Sequence, residues 1–148
     1  MNAAQQFFAD LGAGNIEAAL ARTTPDFTWT VAGAPGQGFA LAGTYNREQF
    51  PAMLAQVGAA LPDGPHVGIT STTATVDRII VETHTTGRSA TGVDYDNRIV
   101  CVFDLDGGQI SAVREYLDTI HAAEIFNPAA QSPPGSRRIA VHGDRGNP

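Results

Sequence analysis

The stretch that most narrows what this chain can fold into runs from His66 to Asp118. It is rich in Val, Ile and Thr, with turn signals at intervals, a pattern that suits pleated, half-buried strands. Four strands are expected, at about 66–73, 76–87, 93–105 and 109–118. The link DLDGGQ (104–109) is a strong hairpin signal, because an Asp-Gly-Gly run tolerates the positive φ of a tight turn. GRSATG (87–92) reads as a longer hairpin loop.

The first half has a different period. Phe7, Phe8 and Leu11 recur at helical spacing, so 3–12 reads as a helix ended by Gly12 and Gly14. Asn15 suits the cap of a second helix carrying Ile16, Ala19 and Leu20 inward. Thr24-Pro25 breaks that pattern. DFTWTVAG (26–33) alternates, with Phe27, Trp29 and Val31 on one face, and reads as a strand. APGQGFALAG (34–43) is a glycine-rich loop. NREQFPAMLAQVGAAL (46–61) is expected to be a helix from Asn46, striped by Phe50, Met53, Leu54 and Val57. A short helix is expected at 119–126.

Helices first and an antiparallel sheet later imply an α+β fold with the helices on one face. A sheet that wraps three helices curls into a cone, and the cone's interior is the default place for a small ligand. The chain has 148 residues, which suits one domain. The domain is expected over 1–126, followed by a Pro-, Gly- and Arg-rich C-terminal extension at 127–148. That extension holds three arginines, Arg137, Arg138 and Arg145, against Asp144 alone.

The net charge of −6 argues against a general nucleic-acid binder, which needs a basic face for phosphates. The single cysteine, Cys101, excludes an internal disulfide and a tetrathiolate metal site. No segment approaches the ~20 apolar residues of a membrane span, and the start lacks the features of a signal peptide. A cytoplasmic location is expected. The chain has no lysine, so Schiff-base chemistry through lysine is excluded.

The order of elements, PDFTW, GTYNREQF and YDNRIVCVFDLDGGQISAVREYLDT together resemble the SnoaL-like branch of the NTF2-like, or ketosteroid-isomerase-like, superfamily. The resemblance covers about 3–126 and is most specific in DGGQISAVREYLDT. It implies a cone-shaped, curved antiparallel sheet around N-terminal helices, and a homodimer through the outer sheet face. It further implies a small cofactor-independent enzyme acting by acid/base catalysis on an apolar oxygenated small molecule. Isomerase, polyketide cyclase, dehydratase and epoxide hydrolase types all fall within it. The alternative is a non-catalytic binding or accessory protein of the same fold.

The resemblance singles out Asp118, the aspartate of an aromatic-x-Asp motif, as a pocket acid or base. A carboxylate in an apolar cavity has its proton affinity raised by desolvation. The competing reading is an N-cap for the 119–126 helix. Strict alternation puts Ile110, Ala112, Arg114, Tyr116 and Asp118 on one face, and Ser111, Val113, Glu115 and Leu117 on the other. Arg114 and Tyr116 are therefore candidate ligand contacts beside Asp118. Glu82 and His84 share a strand face and are candidate acid/base partners, with a solvated outer-face pair as the competing reading. The epoxide-hydrolase branch carries Arg-x-Asp on a comparable strand, and this chain does not. Tyr95 and Asn97 share a face with Ile99, Cys101 and Phe103 and are candidate hydrogen-bond donors in the pocket wall. Trp29 and Tyr45 complete the candidate binding residues. Cys101 reads as a small core residue. His121 and Glu124 lack a distinctive ligand spacing, so no metal site is expected.

Overall fold

The computed structural model describes residues 1–128, so the extension expected at 127–148 falls almost entirely outside the described residues. In chain order the elements are α1 (Ala3–Gly12), α2 (Ile16–Ala21), β1 (Thr23–Val31), β2 (Gly43–Asn46) and α3 (Phe50–Ala60). Then come β3 (His66–Ala74), β4 (Arg78–Arg88), β5 (Asp94–Asp106), β6 (Gln109–Tyr116) and α4 (Thr119–Phe126). The fold is α+β, as the order of periods requires. The six strands form one curved sheet in the order β2-β1-β6-β5-β4-β3. The β1–β6 pair is parallel and the other pairs are antiparallel.

Local chemistry accounts for most boundaries. Asn2 and Gln5 form a reciprocal capping box at the start of α1. Asn15 caps α2 by accepting from the Ala18 amide. Gly107 and Gly108 both take positive φ, +56° and +84°, and close the β5–β6 hairpin. The third helix starts four residues later than expected. Asn46 ends β2 instead, and Asn46 and Gln49 exchange side-chain-to-backbone hydrogen bonds in the turn before α3. Pro25 falls inside β1, in the stretch where pairing with β6 shifts register between Thr23 and Thr28. The missing amide therefore interrupts a ladder that is already irregular.

One irregularity decides what the interior contains. Along β5 and β6, Leu105 faces Ile110 and Asp104 faces Ala112. Ser111 is thus an extra residue on β6, a β-bulge that shifts the alternation by one. Ile110 is buried, and beyond the bulge Val113, not Ala112 or Arg114, is the next fully buried residue.

The core is an aromatic cluster where α1, β1, α3 and β5 meet. Phe7 is fully buried at its centre. Its ring lies about 6 Å from those of Trp29, Phe50 and Phe103, stacked on Trp29 and edge-on to Phe103. Such pairs add to the burial of large apolar rings. Phe7→Ala is expected to lower unfolding free energy by about 3–5 kcal/mol, measured by denaturant titration.

Candidate functional site

Between the helices and the concave face of the sheet lies a cavity of about 830 Å³. Phe8, Phe39, Met53 and Leu54 from the helices and loops, and Val31 and Ile99 from the strands, make its walls apolar. The polar groups come from a few inward-pointing strand positions. They are Glu115 on β6, Trp29 on β1, Tyr95 and Cys101 on β5, and Thr83 and Thr85 on β4. Asp63 and His66 also line it, but both are exposed.

Glu115 is the carboxylate of the interior. It registers with Cys101 on one side and Val31 on the other, which places it in the middle of the sheet. The Trp29 indole Nε1 donates to its Oε2 at 3.0 Å. What surface Glu115 retains opens on the cavity, and desolvation pushes its pKa from the ordinary 4.5 up to about 7, against the opposing effect of the Trp29 hydrogen bond. Burial, then the Glu115 charge, raises the pKa of the Tyr95 phenol and of the Cys101 thiol, so both are neutral donors around neutrality. The Tyr95 ring is held by stacking on His121 and by an edge contact with Phe126.

Asp118 does not line this cavity. It is exposed and N-caps α4, its Oδ1 accepting from the His121 amide at 3.1 Å. Arg114 and Tyr116 also lie on the outer face. Arg114 forms a two-pronged ion pair with Asp104, which also holds Arg78, and Tyr116 is half exposed. The bulge at Ser111 is the reason. Unbroken alternation from the buried Ile110 carries 114, 116 and 118 inward, whereas the extra residue turns 113, 115 and 117 inward instead. On β4 the inward positions are Ile79, Val81, Thr83 and Thr85. Glu82 and His84 therefore face outward, and His84 Nε2 meets Asp96 Oδ1 at 2.7 Å.

Trp29 and Tyr95 do line the cavity. Asn97 points inward and is almost fully buried, but its amide is occupied. It donates to the Asp118 carbonyl and accepts from the Asp118 amide, both at 3.0 Å, tying the end of β6 to β5. Tyr45 donates its hydroxyl to the Leu41 carbonyl at 2.8 Å and does not line the cavity. Sequence reasoning missed Glu115. The available signal was a single acid between Val113 and Leu117 on an otherwise apolar face.

A half-buried carboxylate in an apolar-walled cavity under a curved sheet marks an α+β domain with a titratable group in its interior. A family profile for the SnoaL-like domain matches residues 4–113, and the chain belongs to that family. No curated protein matches the sequence. Among solved structures, an NTF2-like protein from Burkholderia xenovorans LB400 superposes with a TM-score of 0.68 at 24% identity, covering 84% of this chain and 93% of that one. TerC, co-crystallized with polyporic acid, gives 0.73 at 22% identity, covering 84% and 95%. A protein from Jannaschia sp. CCS1, provisionally described as a SnoaL-like polyketide cyclase, gives 0.66 at 19%, covering 87% and 92%. At these identities the likeness is one of fold.

The Glu115 carboxyl keeps its proton in the folded chain between pH 4.5 and about 7, where the unfolded chain has lost it. Stability from this group is therefore present at low pH and lost as pH rises through that window. Glu115→Gln is expected to remove this pH dependence. At pH 8 the variant gains at most on the order of 3 kcal/mol over the parent, measured by denaturant titration from pH 5 to pH 8. Trp29 is the chain's one tryptophan. Its emission is expected to titrate with a midpoint near the Glu115 pKa of about 7 in the parent and not in the variant.

Proposed function

We propose that this chain is an acid/base enzyme that transfers a proton with Glu115 on an apolar, oxygenated small molecule held in the cavity. The observation that carries the reading is the Glu115 carboxyl, enclosed by apolar walls and oriented by the Trp29 indole. A group poised near neutrality can both give and take a proton, which is where general acid/base catalysis is most efficient. Trp29 engages Oε2 and leaves Oε1 to meet the ligand. Tyr95 and the Cys101 thiol are neutral neighbours on the same wall. Isomerisation, aldol-type cyclisation, dehydration and epoxide opening all fit one such carboxyl in an apolar-walled cavity. The co-crystal of TerC with polyporic acid and the provisional cyclase description of the Jannaschia protein support a small-molecule substrate.

The test is turnover on a panel of epoxides and polyketide-like ketones. Glu115→Gln is expected to lower kcat by about 10²-fold or more. Asp118→Ala is expected to leave kcat nearly unchanged and to cost about 1 kcal/mol of stability through the lost cap. Full activity in Glu115→Gln sinks the assignment to this carboxyl, and a parent chain that turns over nothing on the panel favours a binding protein of the same fold.

The outer sheet face supports a second copy as partner. Ile80 and Tyr116 are 38% and 50% exposed there. Val102 registers with Ile80, and Val100 with Tyr116, so the four make one apolar patch. Glu82, Arg98 and Arg114 flank it with both signs of charge, which suits a two-fold contact of the patch with itself. Sedimentation is expected to show a dimer for the parent and a monomer for Tyr116→Arg.

A further inference from the structure

The cavity contains a second polar station that the proton-transfer reading leaves unused. Thr83 and Thr85, 3% and 5% exposed, project from β4 into it, and their hydroxyls are 3.0 Å apart. Ordinarily an inward strand face in a small barrel is apolar, as Ile79 and Val81 are on the same strand. Two adjacent buried hydroxyls share one hydrogen between them, so the pair keeps one O–H and spare lone pairs free for a guest. Glu115 sits across the sheet. It registers with Cys101, and Cys101 with Val81, two residues from Thr83. The two stations are thus two strands apart and offset by two residues along the strand, roughly 12 Å between the backbones at Glu115 and Thr83, and Cys101 and Ile99 form the floor between them.

The charge of the lining is equally selective. Among the described residues no arginine lines the cavity, and the chain has no lysine. Its ionisable side chains other than Tyr95 and Cys101 are Glu115, Asp63 and His66, the last two exposed at the rim. The lining residues that can carry positive charge, Met1 through its amino terminus and His66, are both exposed, so an anionic group brought inside would lose its hydration and meet at Glu115 only a carboxyl that it would force to stay protonated.

We propose that the cavity selects an uncharged ligand bearing two oxygens about one fused-ring system apart, one placed at Glu115 and the other at the Thr83–Thr85 hydroxyl pair. This rests on the cavity being the ligand site, and it makes Thr83 and Thr85 specificity-determining residues. Carboxylates, phosphates and their conjugates are rejected, so the reaction supplying the substrate must deliver a neutral carbonyl, alcohol or epoxide, not an acid.

The test is a binding measurement by calorimetry at pH 7.5 with three probes: 2-naphthol, 2,6-dihydroxynaphthalene and 6-hydroxy-2-naphthoate. The diol is expected to bind about threefold to tenfold more tightly than 2-naphthol through its second hydrogen bond. The naphthoate, with a carboxylate replacing one hydroxyl, is expected to bind at least about tenfold more weakly than the diol. In Thr83→Val/Thr85→Val the diol's advantage over 2-naphthol is expected to vanish while 2-naphthol keeps its Kd. Val matches Thr in shape, and removing both hydroxyls leaves no unpaired partner behind. Thr83→Ser/Thr85→Ser, which retains the hydroxyls, is expected to keep the advantage. Naphthoate binding as tight as the diol's, an advantage that survives in the double-valine variant, or no binding of any probe overturns the proposal. Because these are affinities, the selectivity can hold even if Glu115→Gln shows that no proton is transferred, so the two readings fail separately.

Discussion

One extra residue, Ser111, sets the direction of every side chain that follows it on the last strand. A strand alternates with a period of two, so a single inserted residue exchanges its two faces from that point on. Before the bulge Ile110 is buried, and beyond it Val113 is buried while Glu115 and Leu117 line the cavity. β6 lies between β1 and β5 in the middle of the sheet. A carboxylate turned inward from it therefore arrives in the cavity wall and not at a solvated edge. The same shift frees Arg114 to meet Asp104 outside and leaves Asp118 to cap α4.

That geometry makes the interior electrostatically simple. Among the described residues Glu115 has one hydrogen-bond partner, the Trp29 indole, in a cavity whose walls are mostly apolar. A neutral hydrogen bond offsets only part of the desolvation cost of a carboxylate, so the proton affinity stays high. Trp29 is fixed in turn by the aromatic cluster around Phe7 and Phe50. Core packing and site preorganisation therefore share a side chain. Asn97 plays the complementary part at the other end of β6, clasping both backbone groups of Asp118.

Much of the architecture was legible in the sequence because it rests on local signals. The hairpin glycines, the helical spacing of Phe7 and Leu11, and the Val/Ile/Thr runs each act within a few residues. Membership of the SnoaL-like family followed from the same stretches; the matched region, 4–113, takes in the hairpin turn and the start of β6 and ends before Tyr116 and Asp118. The short strand β2 was not legible, since Gly43–Asn46 carries no alternation of its own and pairs only because β1 lies beside it. The site was harder to read. Tyr95 and Trp29 sit on strands whose alternation is unbroken where they occur. Asp118, Arg114 and Tyr116 follow a bulge that leaves no mark in composition.

By itself the sequence determined the class of fold, the order of its elements apart from β2, the absence of lysine and the single tryptophan. These depend on residue identity and short-range periodicity alone. Tertiary structure decided which faces of β4 and β6 look inward, and hence that Glu115, Thr83 and Thr85, not Asp118, Glu82 and His84, meet the cavity. The reason is physical: the facing of a strand is a property of its pairing with neighbours, and one unpaired residue in that ladder reverses it.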